Sequence, residues 1–277
     1  MLLLALDTST RQASIALCSE RELYGEYSWH ISNNHSAELL VNIQRLVAEC
    51  GKTMPDIEAV AVARGPGSFN GLRVALATAK TLAFTLEIPL VGVGTLDIIA
   101  AQQSQWPGPV CAALEAGRSE LYAACYVFDA MRGVNGDITY AGRQLSDYVL
   151  LTPQRLGAYL QERSDEWLGV PGERQLPSFL FCGELSEASR QALHGQMQEG
   201  SLFAGNVQAT RHASTLAILA LRLLNDGKED DPLLLEPLYL RRPSITTSTR
   251  KQPLLGGLAH RPTGQSKTER EEGALRD

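Results

Sequence analysis

With 277 residues, 44% of them hydrophobic, the chain is long enough for two modest domains with filled cores. Its formal net charge of −6, with no dense Lys/Arg cluster, argues against a chain that binds nucleic acid on its own, because such binding draws on phosphate neutralisation. No apolar run nears the roughly 20 residues of a membrane span, and Asp7 cuts short an opening run, Met1 to Leu6, that lacks the basic start of a secretion signal.

Leu2 to Leu6 reads as a buried strand, Asp7 to Gln12 as a polar turn, and Ala13 to Cys18 as the returning strand, giving a hairpin with an acid at its tip. Leu23 to Tyr27 supplies a third strand. Asn33-Asn34 then offers a cap for a helix from about His35 to Cys50, stopped by Gly51. Ile57 to Ala63 is the fourth strand, a glycine-rich loop follows, Leu72 to Leu86 is a helix ending before Pro89, and Leu90 to Val93 begins a fifth strand. Thr95 caps a helix running into Gln103.

Trp106-Pro107-Gly108-Pro109 can continue neither kind of ladder and marks a domain boundary. The pattern then restarts with a strand from Val110 to Leu114, a polar turn from Glu115 to Ser119, and a strand from Leu121 to Phe128. Thr152-Pro153 is a cap followed by proline at the first helical position, Phe179 to Cys182 is a short strand, and Ser214 to Asp226 is a helix closed by Gly227. Two α/β lobes, 1–105 and 110–242, therefore follow similar plans and suggest an internal duplication. From Pro243 onward, over 243–277, the composition turns polar and aperiodic, which reads as a disordered tail. The five cysteines show no paired metal-ligand spacing, which fits buried thiols in a soluble, cytoplasmic protein.

The richest stretch is the loop Arg64-Gly65-Pro66-Gly67-Ser68-Phe69-Asn70-Gly71-Leu72-Arg73, where three glycines in seven positions point to positive φ or to close approach by something else. It fits no familiar catalytic loop. Five residues separate Gly65 from Gly71 where a Walker loop has four, and Leu72 stands where its lysine belongs. A dinucleotide fingerprint would need glycine at Asn70, and a nucleophile elbow around Ser68 would need glycine at Pro66. Ser68 is therefore read as a structural or capping hydroxyl rather than a nucleophile.

The combination of Asp7-Thr8-Ser9-Thr10, His35-Ser36, the loop Gly65 to Arg73, and Pro237-Leu238-Tyr239-Leu240-Arg241 closely resembles the TsaB family over residues 1–242. The resemblance implies a duplicated, two-lobed, actin-like (RNase H-like) fold. It also implies a role in threonylcarbamoyl transfer to the adenosine beside the tRNA anticodon, as a non-catalytic subunit that forms a heterodimer with its catalytic paralogue TsaD. An ATPase, TsaE, acts on that pair, tRNA is contacted mainly through the partners, and ATP and metal belong to the partners, leaving no cofactor here. In the paralogue two histidines four residues apart bind the metal. Thr95 and Ile99 stand at those positions here, and isoleucine cannot ligate. His35, with Leu39 one turn on, does not restore such a site. The sequence departs from the family pattern at Asn70, where threonine is usual, and at Glu115-Ala116-Gly117, where Asp-Ala-Arg is usual.

The helix after the glycine loop is apolar nearly all the way round, while a single sheet covers one side. The expected docking face for the paralogue comprises His35, Leu39, Leu40 and Ile43 on the first helix, with Leu72, Arg73, Ala75, Leu76, Ala79, Leu82 and Ala83 on the second. On this reading Ala79→Arg abolishes the complex and leaves the monomer folded. The alternative is that the second helix is sandwiched within its own lobe. Other functional readings are a stand-alone ATPase or small-molecule kinase, and a homodimer formed when the paralogue is absent.

Overall fold

Two sheets built on one plan account for the alternation of strands and helices. The computed structural model describes residues 1–31, 35–132, 138–168, 179–197, 201–205 and 207–241, so the Asn33-Asn34 cap and the tail 243–277 lie outside the described residues. In the first sheet β1 (Leu3–Asp7), β2 (Gln12–Cys18) and β3 (Leu23–His30) form an antiparallel meander. Strands β4 (Ala59–Gly65) and β5 (Leu90–Gly94) add in parallel, giving the order β3-β2-β1-β4-β5. Helix α1 (His35–Glu49) leads to β4, and α2 (Phe69–Leu86) joins β4 to β5.

The second sheet repeats this. Strands β6 (Val110–Glu115), β7 (Leu121–Arg132) and β8 (Ile138–Gln144) form the meander, with β9 (Val149–Leu151) also pairing with β7. After α4 (Pro153–Gln161) and α5 (Ser164–Leu168), β10 (Phe179–Cys182) pairs in parallel with β6. Helix α6 (Glu187–Met197) follows, and β11 (Ser201–Phe203) completes the order β11-β10-β6-β7-β8. The identical order and sense of five strands in each sheet make the chain a duplicated, two-lobed α/β protein.

The closing helix of each half crosses over. Helix α3 (Thr95–Ala101) follows β5, yet Leu96, Ile99 and Ala100 pack with Val110, Ala112 and Leu114 of the second sheet. Helix α7 (Ala213–Asn225) follows β11, yet Ala213, Leu216, Ala217, Ala220 and Leu221 pack on Leu3, Ala5, Ala59 and Ala61 of the first. The closing helices of the ranges 1–105 and 110–242 thus each pack on the other range's sheet. Strand alternation explains the match: β1 and β4 turn Leu4, Leu6, Val60 and Val62 toward α1 and α2, and their small residues toward α7. Alanine meeting alanine lets α7 lie close to the sheet. Glu26 on β3 completes the seat, its carboxylate accepting from Ser214 N (3.1 Å) and Ser214 Oγ (3.1 Å) at the start of α7.

Local expectations hold at Thr152, whose hydroxyl accepts from Arg155 N at 3.3 Å to cap α4 ahead of Pro153. They need revision at Thr95, which is the first residue of α3 rather than its cap; Gly94 holds that place, and the helix ends at Ala101.

Four of the five cysteines, Cys18, Cys111, Cys125 and Cys182, are buried, and Cys50 is partly exposed. Burial pushes the Cys18 thiol up to about 12, with the Glu26 charge adding to it. Burial likewise raises Cys182. At pH 8 in the native state, N-ethylmaleimide is therefore expected to modify Cys50 alone, and the other four only after denaturant is added; mass spectrometry of the alkylated protein checks this.

Candidate functional site

The glycine loop is shaped by the first hairpin. A Cβ on Gly67 would lie 2.3 Å from the Ser9 carbonyl oxygen, and one on Gly71 would lie 2.0 Å from that of Thr8, closer than any real Cβ contact. The Thr8 hydroxyl donates to Gly71 O at 2.7 Å, and Ser68 N donates to Ser9 O at 2.6 Å. Gly65, at φ +108°, makes the departure from β4, through a cis bond to Pro66. Ser68 is the N-cap of α2, its Oγ accepting from Gly71 N at 3.3 Å, so the helix starts at Phe69, three residues before the sequence-expected Leu72.

The loop also meets the other signature segment. Leu238 N donates to Arg64 O at 2.7 Å, and the Phe69 and Tyr239 rings lie 5.2 Å apart. The Arg73 guanidinium sits 5.1 Å from the Phe69 ring centre, so an exposed cation rests on a partly exposed aromatic pair. Arg241 closes the segment by donating to Ala116 O at 3.0 Å and pairing with Glu120 in the second hairpin.

The expected docking face divides in two. Leu39, Ile43, Leu72, Ala75, Leu76, Ala79 and Ala83 are buried in the first lobe's own core, with Leu82 packed partly against it. They cannot themselves form a contact surface, and an arginine at Ala79, which is 0% exposed, would disrupt the core rather than spare the monomer. The surplus apolar face of α2 is covered by α1 on its flank and by the sheet below. Exposed instead are Leu40 and Val41 on α1, with Phe69, Arg73 and Phe84 on α2; Val41 is 62% exposed and Phe84 76%. His35 begins α1, but its side chain is not among the described ones.

A polar cluster unsuspected from sequence lies where the first hairpin meets the loop after β10 and the segment before α7. Asp7 accepts from Ser9 N (2.8 Å) through Oδ1 and from Arg211 Nε (2.9 Å) through Oδ2. Arg211 also donates to Thr10 Oγ1 (2.9 Å), to Gln12 O (2.6 Å) and to the Glu184 carboxylate. Burial disfavours the guanidinium charge, and the Asp7 and Glu184 charges outweigh that, so its pKa is raised on balance. Arg211 and Asp7 are 0% and 1% exposed. Removing one partner of such a buried pair costs about 3–5 kcal/mol. Asp7 and Thr10 stood out in sequence as part of the hairpin tip, but nothing there pointed to their partner, a lone arginine just before an apolar helix.

Comparison with known proteins follows the same lines. The family model described as "TsaD: tRNA N6-adenosine threonylcarbamoyltransferase" matches residues 29–248. The tRNA threonylcarbamoyladenosine biosynthesis protein TsaB of Escherichia coli is 32% identical over 172 residues, which are 61% of this chain and 71% of that protein. Its counterpart in Bacillus subtilis is 34% identical over 128 residues, 46% of this chain and 56% of the relative. The chain belongs to the TsaB family. A crystal structure from Pseudomonas aeruginosa, described as similar to peptidase YeaZ, shares 28% identity and superposes with a TM-score of 0.65 over 87% of this chain and 99% of that one.

The two departures from the TsaB pattern sit in different surroundings. Asn70 lies exposed in the first turn of α2. Glu115 braces the start of α6: its Oε1 accepts from Ser186 N at 2.9 Å and from Ser189 Oγ at 2.7 Å, while Ser186 Oγ accepts from Ser189 N at 3.2 Å. Thr95 and Ile99, the two positions weighed in sequence against a metal site, are committed to other partners. Thr95 Oγ1 lies 2.9 Å from Ser9 Oγ, and Ile99 is buried in the second-sheet core. No group of three His, Cys, Asp or Glu side chains among the described residues is arranged to hold a metal. The carboxylates of Asp7 and Glu184 are both engaged by Arg211. Among the described residues no helix is long and apolar enough to cross a membrane.

Proposed function

We propose that this chain is a non-catalytic subunit in the biosynthesis of threonylcarbamoyladenosine in tRNA. It pairs with a TsaD-type catalytic paralogue through the outer side of α1 and α2. The observation that carries this reading is the exposed apolar set on those two helices, Leu40 and Val41 on α1 and Phe69 and Phe84 on α2, in a chain of the TsaB family. Large apolar side chains left in solvent on adjoining helices mark a protein contact. Isoleucine and a bonded threonine at the positions of the paralogue's metal ligands support the division of labour. TsaE acts on the assembled pair, and the net charge of −6 leaves tRNA contact mainly to the partners. In the paralogue's absence the same patch pairs two copies of this chain.

Reconstituted tRNA threonylcarbamoylation with purified TsaD, TsaE and the enzyme that makes the threonylcarbamoyl-adenylate is expected to need this chain. Full product formation without it would overturn the reading.

A further inference from the structure

The cluster around Arg211 has the composition of a cation site: two carboxylates, a hydroxyl and a main-chain carbonyl, all oxygen, converging on one point. The first hairpin supplies Asp7, Thr10 and Gln12, and the loop after β10 supplies Glu184. Four of the five N–H donors of the guanidinium are used, which fits its planar fork rather than a round ion. Thr10 Oγ1 also donates to Glu184 Oε1 at 2.9 Å, so the oxygens are tied to one another as well as to the arginine. Beside this point opens a cavity of about 400 Å³, lined in part by Gln12, His30, Glu184 and Thr210.

We infer that Arg211 acts as a built-in ligand. Its guanidinium fills a preformed oxygen cradle between the first hairpin and the second sheet, and by doing so it closes the inter-lobe cleft from within and excludes an external metal–nucleotide. The cradle is then a guanidinium-specific site whose occupant is covalently part of the chain, and the adjoining cavity gives a free ion a way in. This inference does not depend on the proposed function, and its test needs no catalytic partner.

The test is chemical rescue of Arg211→Gly. The variant is expected to melt about 10 °C below the parent, as befits a buried pair that has lost one member. Hydrogen exchange should rise at 8–12 and 183–185. About 20 mM methylguanidinium should restore at least half of the lost melting temperature, as a ligand of millimolar affinity would. Methylammonium or sodium chloride at the same concentration should restore none of it, and Asp7→Asn in the same background should abolish the rescue. Equal rescue by all three salts, or a variant that melts like the parent, would overturn the inference. If Arg211→Gly does not fold in plain buffer, refolding from urea becomes the readout. Recovery with methylguanidinium and not with methylammonium supports the site, and recovery with neither overturns it.

Discussion

Gly71→Ala is expected to destabilise the protein by about 3 kcal/mol or more, lowering Tm by about 6–12 °C. The added methyl carbon would lie 2.0 Å from the Thr8 carbonyl oxygen, a main-chain atom of the residue that follows β1, and the Thr8 hydroxyl already ties this residue to Gly71 O, so neither side can yield cheaply. Gly117→Ala is the matched control. That glycine has φ +71° with nothing within 4 Å of an added Cβ, so the change costs only the left-handed strain of about 1 kcal/mol. Thermal melts of the two variants should therefore differ widely, although both are Gly→Ala, one in the first turn of α2 against the first hairpin and one in the turn of the second. Similar losses would mean that loop entropy rather than close approach governs the glycine-rich turn.

The second large effect concerns partner binding. Val41→Arg combined with Phe84→Asp should weaken association with the TsaD partner about 100-fold, the scale expected when charge replaces central apolar contacts. Both side chains are largely in solvent in the isolated chain, at 62% and 76% exposure, so Tm should move little. Titration calorimetry with the purified partner, beside a thermal melt, separates the two quantities. Unchanged affinity would move the contact off this face.

Much of the architecture was legible because burial imposed strict periods. Strands β1, β4, β6 and β10 are apolar on both faces and short, and Thr152 announced its helix through capping chemistry. What escaped has a physical explanation. Strand β8 exposes Ile138 and carries Thr, Gly, Arg and Gln without apolar alternation, since it lies at the sheet edge. Helix α6 is largely polar, with Ser189 and Leu193 its buried residues, so its stripe is too narrow to stand out. Most residues expected on the docking face are buried. An alanine-rich helix looks identical whether its small residues admit a neighbouring protein or the sheet beneath, and here Ala75, Ala79 and Ala83 face the lobe's own core. The Arg211 cluster joins residues up to 204 positions apart, a distance across which spacing carries no signal.

The glycine loop illustrates how a sequence can state a requirement without naming its cause. Three glycines announced a close approach, and the approaching groups proved to be the Thr8 and Ser9 carbonyls rather than a phosphate. The loop and the Asp7-Thr8-Ser9-Thr10 turn are thus two halves of one joint, which is why both appear together in the sequence pattern.

The crossing of α3 and α7 bears on how the protein is made. As it leaves the ribosome, the first sheet has α1 and α2 for one face but must wait for Ala213–Asn225 to cover the other, so Leu3, Ala5, Ala59 and Ala61 stay uncovered until nearly all the described chain has been synthesised. Release of a fragment ending near residue 105 would present that bare alanine-lined face together with a stranded α3. Such a fragment should be captured by chaperones or aggregate, and it should recover solubility when the remaining chain is supplied in trans.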